Sequence, residues 1–284
     1  MGVPLAPHKI TAPATDTIFL GIKIDTLKQE IQLPKEKITQ YSNDIKEALP
    51  KSGITLKNLQ EIVGKLSFAT AAVPGRVYLG RLFRIFKGAA NKKIIKLDKN
   101  AKKDLNMWLA FMENYNGTTF FRNLQILHGT TINLQADASK KGYGATFGNQ
   151  WVQGEFPADW KALNIAILEF YPLFLLFHMF AQHFKNSIVI FYTDNEAVSL
   201  IIKDCMTKDD IMLHFLREIT LICADLNIDL RAQHVSRVKN VLCDKISRLQ
   251  VSQELLRAHG MREKPESVPA GLRPTTLLLR QIST

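Results

Sequence analysis

Apolar and polar residues alternate through Ile132-Asn133-Leu134-Gln135-Ala136-Asp137-Ala138, the pattern of a half-buried strand. Turn-forming Ser139-Lys140-Lys141-Gly142 follows, then a second alternating run through Gly144, Ala145 and Phe147, so the stretch reads as a hairpin. Strands are predicted over 131–138, 142–148 and 150–156, then an apolar helix over 163–184. The run Ser187-Ile188-Val189-Ile190-Phe191-Tyr192-Thr193 predicts a buried strand ending at Asp194. Helices over 195–203 and 209–227, a strand over 228–234 and a last helix over 238–249 complete the pattern. Five strands interleaved with helices imply an α/β fold, a mixed sheet with helices on its faces.

The first half reads differently. Pro4, Pro7 and Pro13 interrupt residues 1–17. Residues 18–25 and 29–33 predict two strands of a β-hairpin, marginal by itself and read as the end of a sheet whose other strands lie upstream. Pro34 opens a helix to about 49, with Ile38, Tyr41, Ile45 and Leu49 at helical spacing. Thr55 caps a helix carrying Leu56, Leu59, Ile62, Val63 and Leu66 on one face. Further helices are predicted over 76–87 and 98–115, the second with Leu105, Trp108, Leu109 and Met112 inward. The segments expected are a hairpin over 1–33, a helical region over 34–128, an α/β unit over 129–250 and a weakly ordered tail over 251–284.

Charge separates the halves. Of the net +11, residues 1–128 hold 20 Lys and Arg against 10 Asp and Glu, and residues 129–250 hold 12 against 13. Arg81, Arg84, Lys87, Lys92, Lys93, Lys96, Lys99, Lys102 and Lys103 form a basic set across two helices and their loop. Either it is a solvated helical face or part of it holds phosphates, and the one-sided excess favours the latter. Tyr78, Phe83 and Phe86, at helical spacing, read as core. The 3 Cys, at Cys205, Cys223 and Cys243, have no zinc-site spacing and read as reduced thiols of an intracellular protein, cytoplasmic or nuclear. No membrane association is expected: residues 165–181 are short for a span and contain Glu169, Pro172 and His178.

Four acids interrupt apolar runs. Asp137 lies in a central strand, Glu169 on the apolar helix, Asp194 after a strand's carboxyl end and Asp244 on the final helix. Singly, each reads as a cap or a solvated acid. Together they can converge at one end of a sheet, where ligands bind in open α/β folds. Clustered carboxylates resist ionisation unless cations bind them. Oxygen ligands without Cys or His select Mg2+ or Mn2+, and two such ions about 4 Å apart serve phosphodiester cleavage.

The residues carry a family resemblance. Ala136-Asp137-Ala138-Ser139 with Gly142-Tyr143-Gly144-Ala145, then Leu168-Glu169, then Tyr192-Thr193-Asp194-Asn195 resemble the type 1 ribonuclease H domain of retroelement polyproteins. The run from His234 through Ser236, Arg237, Asn240, Asp244 and Ser247 to Arg248 resembles that family's closing pattern, HxxGxxNxxADxLSR. Phe19-Leu20-Gly21-Ile22-Lys23 with Leu33-Pro34-Lys35 resembles the end of a reverse transcriptase palm. Gly64-Lys65-Leu66-Ser67, Pro74-Gly75-Arg76 and Arg81-Leu82 resemble its thumb. Asp104-Leu105, Trp108, Phe111 and Asn116-Gly117 resemble the thumb-to-ribonuclease H connection of DIRS-type (tyrosine-recombinase) retroelements, the nearest group. The resemblance implies a ribonuclease H-like five-stranded sheet over 129–250, preceded by thumb and connection. It implies an endonuclease cutting the RNA strand of RNA–DNA hybrids, with Asp137, Glu169, Asp194 and Asp244 as catalytic acids holding two Mg2+ or Mn2+ ions. Ser139, Asn195, His234, Arg237 and Asn240 are then expected near substrate, and Lys92, Lys93, Lys102 and Lys103 on the nucleic acid backbone, with an upstream polymerase palm as partner in a full-length polyprotein.

Three departures stand out. The polymerase's aromatic-x-Asp-Asp signature is missing, so no polymerisation by this chain is expected. In the closing pattern Arg237 replaces the glycine and Cys243 the alanine. The competing readings are a nucleic-acid-binding remnant that does not cut, and a transposase or integrase, whose last acid is usually Glu and not Asp.

Overall fold

Leu20 and Gly21 both take positive φ, 49° and 79°, so the single strand expected over 18–25 turns back on itself. Two consecutive left-handed residues make the tight turn whose twist suits a hairpin. β1 (Asp16–Phe19) therefore pairs antiparallel with β2 (Ile22–Asp25), which pairs with β3 (Glu30–Gln32). The hairpin expected over 1–33 is corrected to a three-stranded meander. This computed structural model describes residues 12–88, 93–115, 125–235 and 241–277, in two compact units, Met1–Asn123 and Leu124–Thr284.

In the first unit, α1 (Lys35–Ala48) starts after Pro34 and buries Tyr41 and Ile45. The two-residue β4 (Ile54–Thr55) leads into α2 (Leu56–Ala69), where Thr55 Oγ1 accepts the Asn58 N–H at 3.1 Å and Leu59, Ile62, Val63 and Leu66 turn inward. The helix expected over 76–87 begins as a 3-10 turn and becomes α3 (Gly80–Lys87). β5 (Ile94–Ile95) pairs with β4, and Asp98 caps α4 (Lys99–Asn114) by accepting the Ala101 N–H at 2.6 Å. Leu105, Trp108, Phe111 and Met112 are its buried face, and Tyr78 packs on Phe111 with ring centroids 5.5 Å apart.

The second unit places its strands in two sheets, not the single sheet of five expected from the sequence. In order along the chain come β6 (Gln125–His128), β7 (Gln135–Ala138), β8 (Gly142–Phe147), β9 (Gln150–Glu155), β10 (Ser187–Thr193) and β11 (Asp229–His234). β7, β8 and β9 form an antiparallel meander, while β6 and β11 flank β10 in parallel. The strand expected over 131–138 thus starts late, and β6 was not foreseen. Between them Asn133 takes φ 50°, the Gly129 N–H donates to the Ile190 carbonyl at 2.9 Å, and the Leu134 N–H closes back on the Gly129 carbonyl at 2.7 Å. A left-handed residue cannot continue a pleat, so β7 starts only after Asn133.

Helices cover both faces. A short α5 (Ala158–Lys161) precedes α6 (Ile165–Phe180), which continues as a 3-10 turn to Phe184. Its length and composition would suffice to cross a membrane, but 67% of the apolar window is buried within this unit. Leu168, Phe170, Tyr171, Leu173, Leu175 and Leu176 are fully buried between β7, β8 and α8 (Asp210–Leu226). α7 (Glu196–Asp204) follows β10. α9 (Val241–Ser247) lies against β7 and β8.

The tail expected to be weakly ordered is docked as far as residue 277. It holds α10 (Gln253–Ala258), and Leu256 and Met261 complete a core with Trp151, Leu242 and Ile246. The Arg262 and Glu266 N–H groups donate to the Asn149 and Trp151 carbonyls at 2.9 and 2.7 Å, and the Trp151 indole N–H donates to the Arg262 carbonyl at 2.8 Å. These bonds cover the outer edge of β9, which would otherwise present unpaired backbone. The tail's apolar residues are too sparse to show a period, so the sequence does not announce the docking.

Candidate functional site

Asp137 sits in a strand whose neighbours Ala136 and Ala138 are buried, and its side chain shares a side of the sheet with α9. One turn of that helix supplies its partner: the Ser247 hydroxyl donates to Asp137 Oδ2 at 2.6 Å. Burial pushes the Asp137 carboxyl up to about 6, the charges of Asp194 and Asp244 push the same way, and the Ser247 bond opposes them. Ionising Asp137 is therefore harder than for an ordinary carboxyl, and nearby positive charge would ease it.

Asp194 follows the carboxyl end of β10, in a turn held from both sides. The Asn195 N–H donates to Thr193 Oγ1 at 3.1 Å, and Asn195 Oδ1 accepts the Val198 N–H at 3.2 Å, capping α7. His234 ends β11 opposite Thr193, with Nε2 3.2 Å from the Asp194 carbonyl oxygen. Asp244 lies in the first turn of α9, with Arg248 Nε 2.8 Å from its Oδ1. Glu169 is half-buried on α6, beside fully buried Leu168.

The structure therefore brings Asp137, Asp194 and Asp244 into one electrostatic neighbourhood. Among the described residues, no three His, Cys, Asp or Glu side chains are gathered closely enough to hold a metal ion as they stand. The donor set nonetheless fits a hard cation, being carboxylate oxygens around an acid whose ionisation is disfavoured by burial and like charge. Ser139, expected near substrate, is engaged inward. Its hydroxyl donates to the Ser247 carbonyl at 2.8 Å and accepts the Lys141 N–H at 3.1 Å. Arg237, Asn240 and Lys92 lie outside the described residues. Lys93 and Lys103 are exposed, and Lys102 Nζ reaches the Lys51 carbonyl at 3.3 Å. Arg81 leaves the basic set in effect, because its guanidinium pairs with fully buried Asp104 at 3.1 Å.

Two residues that shape this neighbourhood stood in the quoted motifs but were not among the expected site residues. Ser247 had a signal, standing three residues after Asp244 and hence on the same helical face. The packing role of Gly144 was not legible from its motif, because it depends on what lies above it. A Cβ there would lie 2.6 Å from Ile246 Cγ2 and 2.9 Å from the Ser247 nitrogen, so the bare backbone admits α9 against the sheet.

No protein-family model matches this chain, and no curated protein matches it. Among solved structures it is similar to the foamy viral protease-reverse transcriptase dRH in complex with double-stranded DNA, at 15% identity and a TM-score of 0.34, over 77% of this chain and 38% of that one. It is also similar to the foamy viral protease-reverse transcriptase in complex with double-stranded DNA, at 16% identity and a TM-score of 0.32, over 79% and 46%. The chain thus spans less than half the length of either neighbour, and both neighbours are foamy viral, not DIRS-type, proteins.

Proposed function

We propose that this chain is a metal-dependent ribonuclease H that cuts the RNA strand of RNA–DNA hybrids, as the C-terminal part of a DIRS-type retroelement reverse transcriptase. The supporting observation is the coupling of Asp137 to Asp194 and Asp244, three acids delivered by two strand ends and a helix to one neighbourhood. Asp137, Glu169, Asp194 and Asp244 would hold two Mg2+ or Mn2+ ions, which when bound supply Lewis-acid stabilisation of charge on the reacting phosphate. The chain's own residues shape that site. Ser247 orients Asp137, the Asn195 cap and the His234 contact fix the backbone at Asp194, and α9 presents Asp244. Exposed lysines of the first unit hold duplex backbone. Among the described residues nothing supplies the polymerase signature, so primer extension belongs to an upstream palm.

A second reading is a remnant that binds nucleic acid without cutting. The absence of three ligands at ion distance among the described residues favours it. Incubation with an end-labelled hybrid, with Mg2+, with Mn2+ and with chelator, separates the two. The nuclease reading expects cleavage that needs the ion and is lost in Asp137→Asn and Asp194→Asn. Binding without cleavage establishes the remnant. Cleavage that persists in chelator or in both variants refutes the metal mechanism.

A further inference from the structure

We infer that Ser247 is the positioning residue for Asp137, and that with Ser139 it forms a two-serine clamp fixing the first acid's strand to the last acid's helix. The inference rests on the nuclease reading above and names the groups that set its site.

Three observations carry it. Ser247 is fully buried among apolar neighbours, and α9 buries Leu242, Cys243 and Ile246 beside it; a hydroxyl there must find a partner. It has two acceptors and one hydrogen. The Asp244 carbonyl three residues back stands at 3.0 Å, the local contact a helical serine often makes, while Asp137 Oδ2 stands at 2.6 Å. A charge-assisted bond is the shorter and stronger, so with the carboxylate ionised the hydrogen goes to Asp137. Lastly, the Ser139 hydroxyl donates in the opposite sense, to the Ser247 carbonyl at 2.8 Å. That carbonyl lies at the end of α9, where backbone acceptors lack partners within the helix.

Residues 137 and 139 thus grip residue 247 through two bonds, one to its side chain and one to its main chain. A rotation of α9 that moved Asp244 relative to Asp137 would break both. The clamp holds the separation of two acids expected to share cations, the outer-shell task that orients ligating carboxylates.

The test uses the full chain with Ser247→Ala and Ser139→Ala. Mn2+ binding is measured by calorimetry, cleavage is titrated against Mn2+ at saturating hybrid, and hybrid affinity is measured in chelator. Both the Mn2+ dissociation constant and the half-saturating Mn2+ should rise on the order of tenfold or more in Ser247→Ala, and less in Ser139→Ala. The rate at saturating Mn2+ should recover, and hybrid affinity in chelator should not change. A folded Ser247→Ala with the wild-type Mn2+ curves overturns the inference. Should that variant not fold, unchanged Mn2+ curves in Ser139→Ala overturn it instead. If the wild type itself neither binds Mn2+ nor cleaves, the nuclease reading falls and takes the clamp with it. If the wild type does both and the variants match it, only the clamp falls.

Discussion

Asp137 and Gly144 face each other across the β7–β8 ladder, and the missing side chain of the one lets a helix reach the other. Ile246 and the Ser247 backbone occupy the space that a Cβ at Gly144 would need. Gly144→Ala should push α9 outward, costing about 1–3 kcal/mol of stability as an overpacked core does. It should also lower hybrid cleavage, because Asp244 and Ser247 move with the helix. Urea denaturation and the cleavage rate check this, and wild-type values for both would refute the packing argument.

The raised carboxyl of Asp137 predicts a pH dependence in metal-free protein. Below about pH 4 the group is protonated whether the chain is folded or not, and contributes nothing. Between about 4 and about 6 the unfolded chain gives up the proton while the folded chain keeps it. Stability contributed by this group therefore falls as pH rises through that window, and stays low above it. The separation from the ordinary carboxyl value amounts to about 3 kcal/mol at full effect. Asp137→Asn should accordingly be more stable than wild type in chelator at about pH 8 and equal to it at about pH 3. Saturating Mn2+ should narrow or reverse the difference at the higher pH. Calorimetric unfolding at both pH values checks it, and equal melting temperatures throughout would contradict the electrostatic reading.

Lys93, Lys96, Lys99 and Lys103 are exposed just before β5, just after it and in the first turns of α4. If they bind phosphates, changing all four to Gln should weaken hybrid binding for every sequence alike. Each lysine that neutralises a phosphate should, on its replacement, flatten the log–log salt dependence by about 0.9. The Mn2+ requirement should not move. An unchanged slope would leave these lysines as a solvated face.

Arg81 belongs to the fold and not to the phosphate surface. Its guanidinium is 3.1 Å from Asp104, whose side chain is 1% exposed. Arg81→Met leaves that carboxylate buried without this cation and should cost about 3–5 kcal/mol. Arg81→Met with Asp104→Leu should recover most of it, since two apolar groups replace the pair. Denaturant midpoints of the single and double variants measure the difference.

Removal of residues 251–284 tests the docked tail. Trp151 and Ile246 would no longer pack on Leu256 and Met261, and the β9 edge would be without the Arg262 and Glu266 donors. A lower melting temperature and concentration-dependent association through the bared edge are expected. A truncated chain that stays monomeric with the wild-type melting temperature would show the tail to be dispensable.

Much of this protein is written locally. The helical spacing in residues 34–115, the Thr55 cap, the buried run at Ser187–Thr193 and the apolar helix carrying Glu169 depend on nearest neighbours along the chain, so period and capping chemistry reveal them. The four acids were visible too, because a carboxylate inside an apolar run is conspicuous wherever it folds. Other features depend on residues far apart in sequence. The unforeseen β6 is set by its pairing with β10, more than sixty positions later, a contact that Gly129 continues by bonding to Ile190. The tail's order is set by the edge of β9, and the role of Arg81 by Asp104 on another helix. The Ser247 hydroxyl could have turned to its own helix, as its sequence neighbourhood alone would suggest. Only tertiary packing, through the bare Gly144, brings α9 within 2.6 Å of Asp137. Hydrogen-bond direction and electrostatic coupling act over a few ångströms of space, not over residues of chain. The sequence by itself therefore determined which side chains are candidates for chemistry, and tertiary structure decided which of them meet.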